Sequence, residues 1–363
     1  MTVESATIVD AVVAGAGQAG LSAAYHLRRR GLVPGADFVV LDADPAPGGA
    51  WQHRSPSLTM ADVHGFHPLP DAPVPDFPGT VPARDALPGY FADYERRFGL
   101  PVLRPVRVRA VHDLGERLLV ETDRGDWSAR ALINATGTWT RPFVPRHPGA
   151  DLFRGRQLHS SQWQGAAEFA GQRLLVVGGG ASAVQILAEA AEVAKTRWAT
   201  RREPRFRDDR FTPELGRAAV SLVEQRVRAG LPPASVVSVT GLPPTRLLLR
   251  ARELGALDRV PLPQRFTERG AVWPDGHEEP FDAVVWATGF RAALAHLAPL
   301  GLREPGGGIR LEGTRAARDP RVHLLGYGPS ASTIGANRAG RAAAVAVSRQ
   351  LTAAQPPRET ALL

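Results

Sequence analysis

Ile8-Val9-Asp10-Ala11-Val12-Val13-Ala14-Gly15-Ala16-Gly17-Gln18-Ala19-Gly20 is the stretch whose reading settles the fold class. Its first half is a short apolar run suited to a buried parallel strand. Its second half is G-x-G-x-x-G, after which Leu21, Ala24, Tyr25 and Leu27 recur at helical spacing. Strand, glycine loop and helix in that order form a dinucleotide-binding unit. Gly15 allows the tight turn, Gly17 lets a pyrophosphate approach the backbone, and Gly20 lets the helix close on the strand. Gln18 belongs to the same loop, where free N–H groups at the helix N-terminus meet the phosphates. A second strand, Phe38-Val39-Val40-Leu41, ends at Asp42, 22 positions after Gly20. That spacing suits a carboxylate accepting both hydroxyls of an adenosine ribose. A carboxylate repels a 2′-phosphate, so this first site is expected to take FAD or NAD rather than NADP.

The pattern returns at Arg173–Val177, followed by Gly178-Gly179-Gly180-Ala181-Ser182-Ala183, which is G-x-G-x-x-A, and by a helix expected through Val193. Gly178, Gly180, Ser182 and Ala183 are the expected contacts of a second dinucleotide. The next strand, Thr196–Thr200, ends not in an acid but in Arg201-Arg202. Guanidinium groups stay charged and grip phosphate bidentately. Arg201, with Arg202 helping and Thr200 adding a hydroxyl, is therefore the expected 2′-phosphate reader. Glu203 alongside blunts that preference, so NADPH is expected and NADH stays open. The fold expected is α/β, with two Rossmann-like dinucleotide-binding domains of the three-layer ββα type. Residues 1–150 and 286–363 would form the first domain and 151–285 an inserted second one.

Composition removes several alternatives. The chain of 363 residues is 44% hydrophobic and 22% charged, as an ordinary globular core requires. Its net charge of +8 comes almost wholly from arginine, with Lys195 the single lysine, and the arginines are scattered. Nucleic-acid binders tend to cluster basic residues, so no nucleic-acid partner is expected. There is no cysteine, which excludes disulfides, iron–sulfur clusters, thiolate metal sites and dithiol redox chemistry; no metal site is expected. The start lacks a basic n-region and an apolar h-region. The apolar stretch Leu174–Ala194 is broken by three glycines and two glutamates. A soluble, cytoplasmic protein without membrane contact is expected.

Between the two glycine loops lies Phe153-Arg154-Gly155-Arg156-Gln157-Leu158-His159-Ser160-Ser161-Gln162-Trp163, or F-x-G-x-x-x-H-x-x-x-W. Gly48-Gly49-Ala50-Trp51 (G-G-x-W) follows the first ribose acid, and A-T-G recurs at Ala135-Thr136-Gly137 and Ala287-Thr288-Gly289. Taken in this order, these motifs resemble those of class B flavoprotein monooxygenases, the flavin-containing and Baeyer–Villiger monooxygenases. The resemblance implies FAD in the first site, with Gly49 and Trp51 at the flavin, Val108 near adenine, and Thr136, Gly137, Thr288 and Gly289 at the crossings between domains. It implies a turn at Gly326-Tyr327-Gly328, with Gly328 at the flavin where related flavoproteins carry Gly-Asp. NAD(P)H would reduce the flavin, and a C4a-(hydro)peroxyflavin would oxygenate a small-molecule substrate with O2. Gln164 after Trp163, in place of Pro or Asp, favours a sulfide or amine. A Baeyer–Villiger ketone oxidation, an NAD(P)H oxidase or dehydrogenase, a flavin redox sensor and a homodimer stay open.

The loop 52–100 is dense in proline, which disfavours helix and central strand, and a long irregular segment of this kind is often functional. Asp62 and His64 in that loop, Arg291 after the second A-T-G, and His159 are the candidate reaction-site residues. His159 reads better as a residue fixing the domain junction, with Phe153 and Trp163 packing the ends of its segment and Gly155 allowing a bend.

Overall fold

From Ala11 onward β1 (Thr7–Ala14) alternates between two cores as a strand of period two must: Ala11 and Val13 face one side, Val12 and Ala14 the other. It runs parallel between β2 (Phe38–Leu41) and β6 (Trp127–Asn134). β3 (Val102–Leu103) extends the sheet beyond β2. β4 (Val108–Asp113) and β5 (Leu118–Thr122) form an antiparallel meander joined to β6. The chain then leaves for a second sheet and returns as β15 (Leu311–Glu312), β16 (Arg315–Ala316) and β17 (Asp319–Leu324), of which β17 pairs parallel with β6. The computed structural model describes residues 5–63, 66–207, 213–233 and 241–353.

One face of this first sheet is covered by helices α1 (Gln18–Arg29) and α6 (Thr333–Ala353). They pack so closely that a Cβ on Gly340 would stand 2.7 Å from the Ser22 hydroxyl oxygen. The other face is covered by the β4–β5 meander, with Val111, Leu118 and Val120 buried against Val12, Leu132 and Val322. Helix, sheet and meander make the three-layer ββα arrangement.

The second sheet comes from residues 156–286. β7 (Arg156–His159), β8 (Arg173–Val177), β9 (Lys195–Ala199), β10 (Arg259–Val260) and β14 (Ala283–Trp286) are all parallel, in the order β10-β9-β8-β14-β7. α3 (Ala181–Ala190) and α5 (Arg246–Glu253) close one face. The three-stranded antiparallel sheet β11 (Arg265–Phe266), β12 (Gly270–Val272) and β13 (Glu278–Pro280) closes the other. α4 (Pro213–Arg228) leaves this unit and packs at the first sheet, where Val227 is buried in its second core.

The proline-rich loop corrects one expectation, because it contains the helix α2 (Ala83–Arg97) with Pro88 inside it. Pro88 forfeits a backbone bond and crowds the preceding turn. Burial of Leu87, and of Tyr90, Phe91 and Tyr94 in the first core, outweighs that loss. α3 ends at Ala190, short of Val193. No helix among the described residues is long and apolar enough to cross a membrane. The tail from Gln355, expected to fray, lies outside the described residues.

Candidate functional site

A cavity of about 680 Å³ opens at the C-terminal ends of β1, β2 and β6, where ligands of open α/β sheets bind. Its size is that of a cofactor or drug-sized site. Gly15, Gly17, Gln18, Asp42, Gly49, Trp51, Val108, Thr136 and Gly137 all line it. At Gly20 a Cβ would stand 1.8 Å from the Gly15 carbonyl oxygen, so α1 is locked onto its loop. Gly17 is different: a Cβ there would meet nothing nearer than the Gly49 α-carbon at 4.0 Å. That opening, ahead of the α1 N-terminus, leaves room for a pyrophosphate. Gly49 has φ +51°, and a Cβ on it would come 2.8 Å from the Gly17 α-carbon. The G-G-x-W turn therefore rests on the glycine loop.

Two further observations fit FAD to the cavity. The Gln18 Oε1 atom is buried and, among the described residues, without a hydrogen-bond partner, as a polar atom awaiting a polar ligand would be. The other end of Gln18, its Nε2, donates to the His67 carbonyl at 3.1 Å and to Asn337 Oδ1 at 2.9 Å. Asp42 is buried and paired at 3.0 Å with Arg104, whose fork binds Glu95 through two 2.7 Å bonds. Burial pushes the Asp42 carboxyl up and Arg104 pulls it down, leaving a net rise. Arg104 aims the carboxylate and offsets its desolvation. No local pattern marked Arg104, because its partner Asp42 lies 62 positions away. His296 also lines the cavity, its Nε2–H donating to Asn134 Oδ1 at 2.6 Å, and burial lowers its pKa to about 4.

At the second loop, a Cβ on Gly178 would stand 2.1 Å from the Ala287 carbonyl oxygen, so the second A-T-G lies against the loop. Gly180 caps α3, Ser182 lies in its first turn, and Ala183 is buried under it. Thr200 is 2% exposed and, among the described residues, its hydroxyl has no partner. Arg201, Arg202 and Glu203 are exposed, and neither arginine is ion-paired among the described residues.

The two crossings between the sheets are zipped together. Phe143 N–H donates to the Gly289 carbonyl at 2.9 Å, Arg291 N–H to Arg141 at 2.8 Å, and Ala293 N–H to Gly137 at 2.9 Å. The Thr136 hydroxyl donates to the Ala293 carbonyl at 2.7 Å, and the Thr288 hydroxyl to the Phe143 carbonyl. His159 is 3% exposed at the end of β7, with its Nε2 at 2.9 Å from the Gly289 carbonyl oxygen. A carbonyl only accepts, so Nε2 carries the proton and Nδ1 accepts from the Ser161 N–H at 3.1 Å. Burial pushes the imidazole below its ordinary pKa, outweighing the Gly289 contact. Both ring nitrogens are engaged in the junction. Gly155 serves close packing rather than a bend: a Cβ there would stand 2.4 Å from the Phe153 ring and 2.6 Å from the Asp282 carbonyl oxygen. Phe153 and Trp163 are buried, in the two cores of the second sheet.

Other expected residues lie away from the cavity. Asp62 is buried in a two-bond pair with Arg246 of α5, at 2.9 and 2.7 Å, and also accepts from the Thr59 hydroxyl at 2.8 Å. It ties the loop to the second domain instead of facing a flavin. Arg291 is exposed, its guanidinium 4.2 Å from the centre of the Phe143 ring. Gly328 turns toward α4, where a Cβ would meet Val227 Cγ2 at 2.7 Å. The cavity wall there is Gly326 with Ala331, Ser332 and Thr333. His64 lies outside the described residues.

Comparisons with known proteins agree with this architecture. The family model "Pyridine nucleotide-disulphide oxidoreductase" matches residues 12–227, although the chain has no cysteine for the dithiol half of that name. The solved flavin-containing monooxygenase from Stenotrophomonas maltophilia is 42% identical, with 95% of this chain and 99% of that one covered and a TM-score of 0.81. The indole-3-pyruvate monooxygenase YUCCA4 of Oryza sativa subsp. japonica is 29% identical, over 80% of this chain and 76% of that protein. A Baeyer-Villiger monooxygenase of Streptomyces coelicolor is 37% identical over 49% of this chain, which is 35% of the relative. The match to the uncharacterized oxidoreductase CzcO of Bacillus velezensis spans 55% of that protein, so the chain covers between about a third and about half of these two curated relatives. With two nucleotide loops, a cavity shaped at the first and near-complete coverage of a solved relative, the chain belongs to the class B flavin-containing monooxygenase family.

Proposed function

We propose that the protein is an FAD-dependent monooxygenase that consumes NAD(P)H and O2 to oxygenate a small sulfide or amine. The observation that carries this reading is the cavity whose glycine cradle at Gly15, Gly17 and Gly49 is joined, through two zipped crossings, to a second nucleotide loop at Gly178–Ala183. Bound flavin supplies hydride acceptance and oxygen activation. The chain's own residues hold and shield the groups. Gly17 and the α1 N-terminus receive the pyrophosphate, Asp42 receives the ribose, and Trp51 walls the flavin end. No side chain in the cavity needs to act as a general base, and His159, with both nitrogens engaged, is not free to be one.

Arg201 and Arg202, exposed at the end of β9, are the 2′-phosphate readers in this reading. Losing a charge-assisted contact costs about 1.5–3 kcal/mol. Arg201→Ala is therefore expected to raise the KM for NADPH roughly 10- to 100-fold and to spare NADH; equal effects on both cofactors would remove the assignment. The reaction itself is tested with a panel of sulfides, amines and ketones under ¹⁸O₂. Labelled sulfoxide or N-oxide formed in proportion to NADPH consumed supports the reading. Hydrogen peroxide accounting for all NADPH consumed would instead make the protein an oxidase.

A further inference from the structure

Arg54 follows the G-G-x-W turn and lines the flavin cavity. Its guanidinium lies over two indoles, 5.5 Å from the centre of the Trp51 ring and 5.0 Å from that of Trp139. Among the described residues it has no carboxylate partner, and its Nε is buried without an acceptor. The carboxylates flanking it in sequence are both taken, Asp44 by His53 at 3.0 Å and Gln52 at 3.2 Å, and Asp62 by Arg246 at 2.9 and 2.7 Å. Burial pushes the guanidinium below its ordinary pKa with nothing to oppose it. A half-buried cation with no counter-charge is costly, and contact with aromatic faces returns only part of that cost.

Two features say which anion would complete the site. Indole rings against a guanidinium leave its in-plane N–H edge for recognition, and that edge matches the planar fork of a carboxylate. The location also matters. The pyrophosphate place is at Gly17 and the α1 N-terminus, on another segment. Arg54 instead joins an aromatic chain toward the crossings: Trp139 stacks on Phe290 at 5.1 Å, and Phe290 meets His159 at 4.9 Å. This is the end of the cavity that faces the second domain, where a substrate must meet the flavin.

We propose that Arg54 is a specificity residue that binds the carboxylate of an acidic substrate, whose apolar body packs on Trp51 and Trp139. This rests on the monooxygenase reading for the reaction but makes a separate claim about binding. The test is a titration of the oxidised holoenzyme with (phenylthio)acetate and with its neutral counterpart (phenylthio)acetamide, followed by perturbation of the flavin absorbance. NADPH affinity and FAD content are measured alongside. The acid is expected to bind roughly 10-fold or more tightly than the amide, as a charge-assisted bond would give. Arg54→Gln should bring the ratio to about one with FAD retained, and Arg54→Lys should keep part of the preference. Equal binding of acid and amide by the native protein, or an unchanged ratio in Arg54→Gln, overturns the proposal. Loss of FAD or weakened NADPH binding in Arg54→Gln assigns the cation to a cofactor and overturns it as well. Because binding is read without turnover, acid preference without oxygenated product would sink the reaction assignment and leave this one standing.

Discussion

Gly49 shows how much rests on a single α-carbon. Its backbone is left-handed, and a side chain would collide with the Gly17 α-carbon at 2.8 Å, so neither strain nor clash can be relieved without moving the cradle. Gly49→Ala is expected to give folded protein with little bound flavin, read as the ratio of absorbance at 450 to 280 nm; full flavin content would show that the cradle is not where FAD lies. Buried histidines give a second prediction at this scale. His296 and His323 each have a folded pKa lowered to about 4 by burial, against about 6.5 when unfolded. Between those values the unfolded chain binds more protons, so stability is complete above about pH 6.5 and falls as the pH drops toward 4. Each contributes on the order of 2–3 kcal/mol to that loss. Thermal unfolding of His323→Leu should therefore depend less steeply on pH across this window than that of the native protein. Parallel curves would reject the assignment.

At the scale of elements, an ion pair ties the proline-rich loop to a helix of the other domain. The Asp62 side chain is 2% exposed and that of Arg246 68% exposed. Breaking a fully buried pair costs about 3–5 kcal/mol. Here water reaches the carboxylate once the exposed arginine is cut back, so Arg246→Ala should cost only about 1–2 kcal/mol. A drop of a few degrees in melting temperature with flavin content unchanged is the expected result; no drop would make the pair a surface contact. Asp62 was legible as a loop acid but not as a tether, because Arg246 lies 184 positions away. Likewise α2 was hidden by the prolines around it. Its apolar positions bury against the first core whatever the local propensity, and tertiary packing overrides propensity in such cases.

At the scale of the whole molecule, the two nucleotide domains act together only if the crossings keep their register. His159 holds the Gly289 carbonyl, and Gly289 pairs with Phe143 on the opposite crossing. Removing the imidazole should loosen this junction without touching the FAD cradle. His159→Ala is expected to keep its flavin while forming less oxygenated product and more hydrogen peroxide per NADPH. Unchanged coupling, or an apoprotein, would count against the junction role.

Much of this architecture was legible because its signals are local. Strand, glycine loop and helix at Ile8–Leu27 and again at Arg173–Ala190 are set by backbone sterics and periodicity over a few residues. So is the placing of Asp42 at the end of β2 and of Arg201 at the end of β9. The order of these motifs, with A-T-G at each crossing, was enough to reach the fold class and the family. The partners that decide what each side chain does were not legible. Asp42 with Arg104, Asp62 with Arg246, Arg54 with Trp139 and Gly328 with Val227 each join segments that only packing brings together. Whether a charge is paired, buried or aimed into a cavity depends on the walls around it, and those walls come from distant parts of the chain.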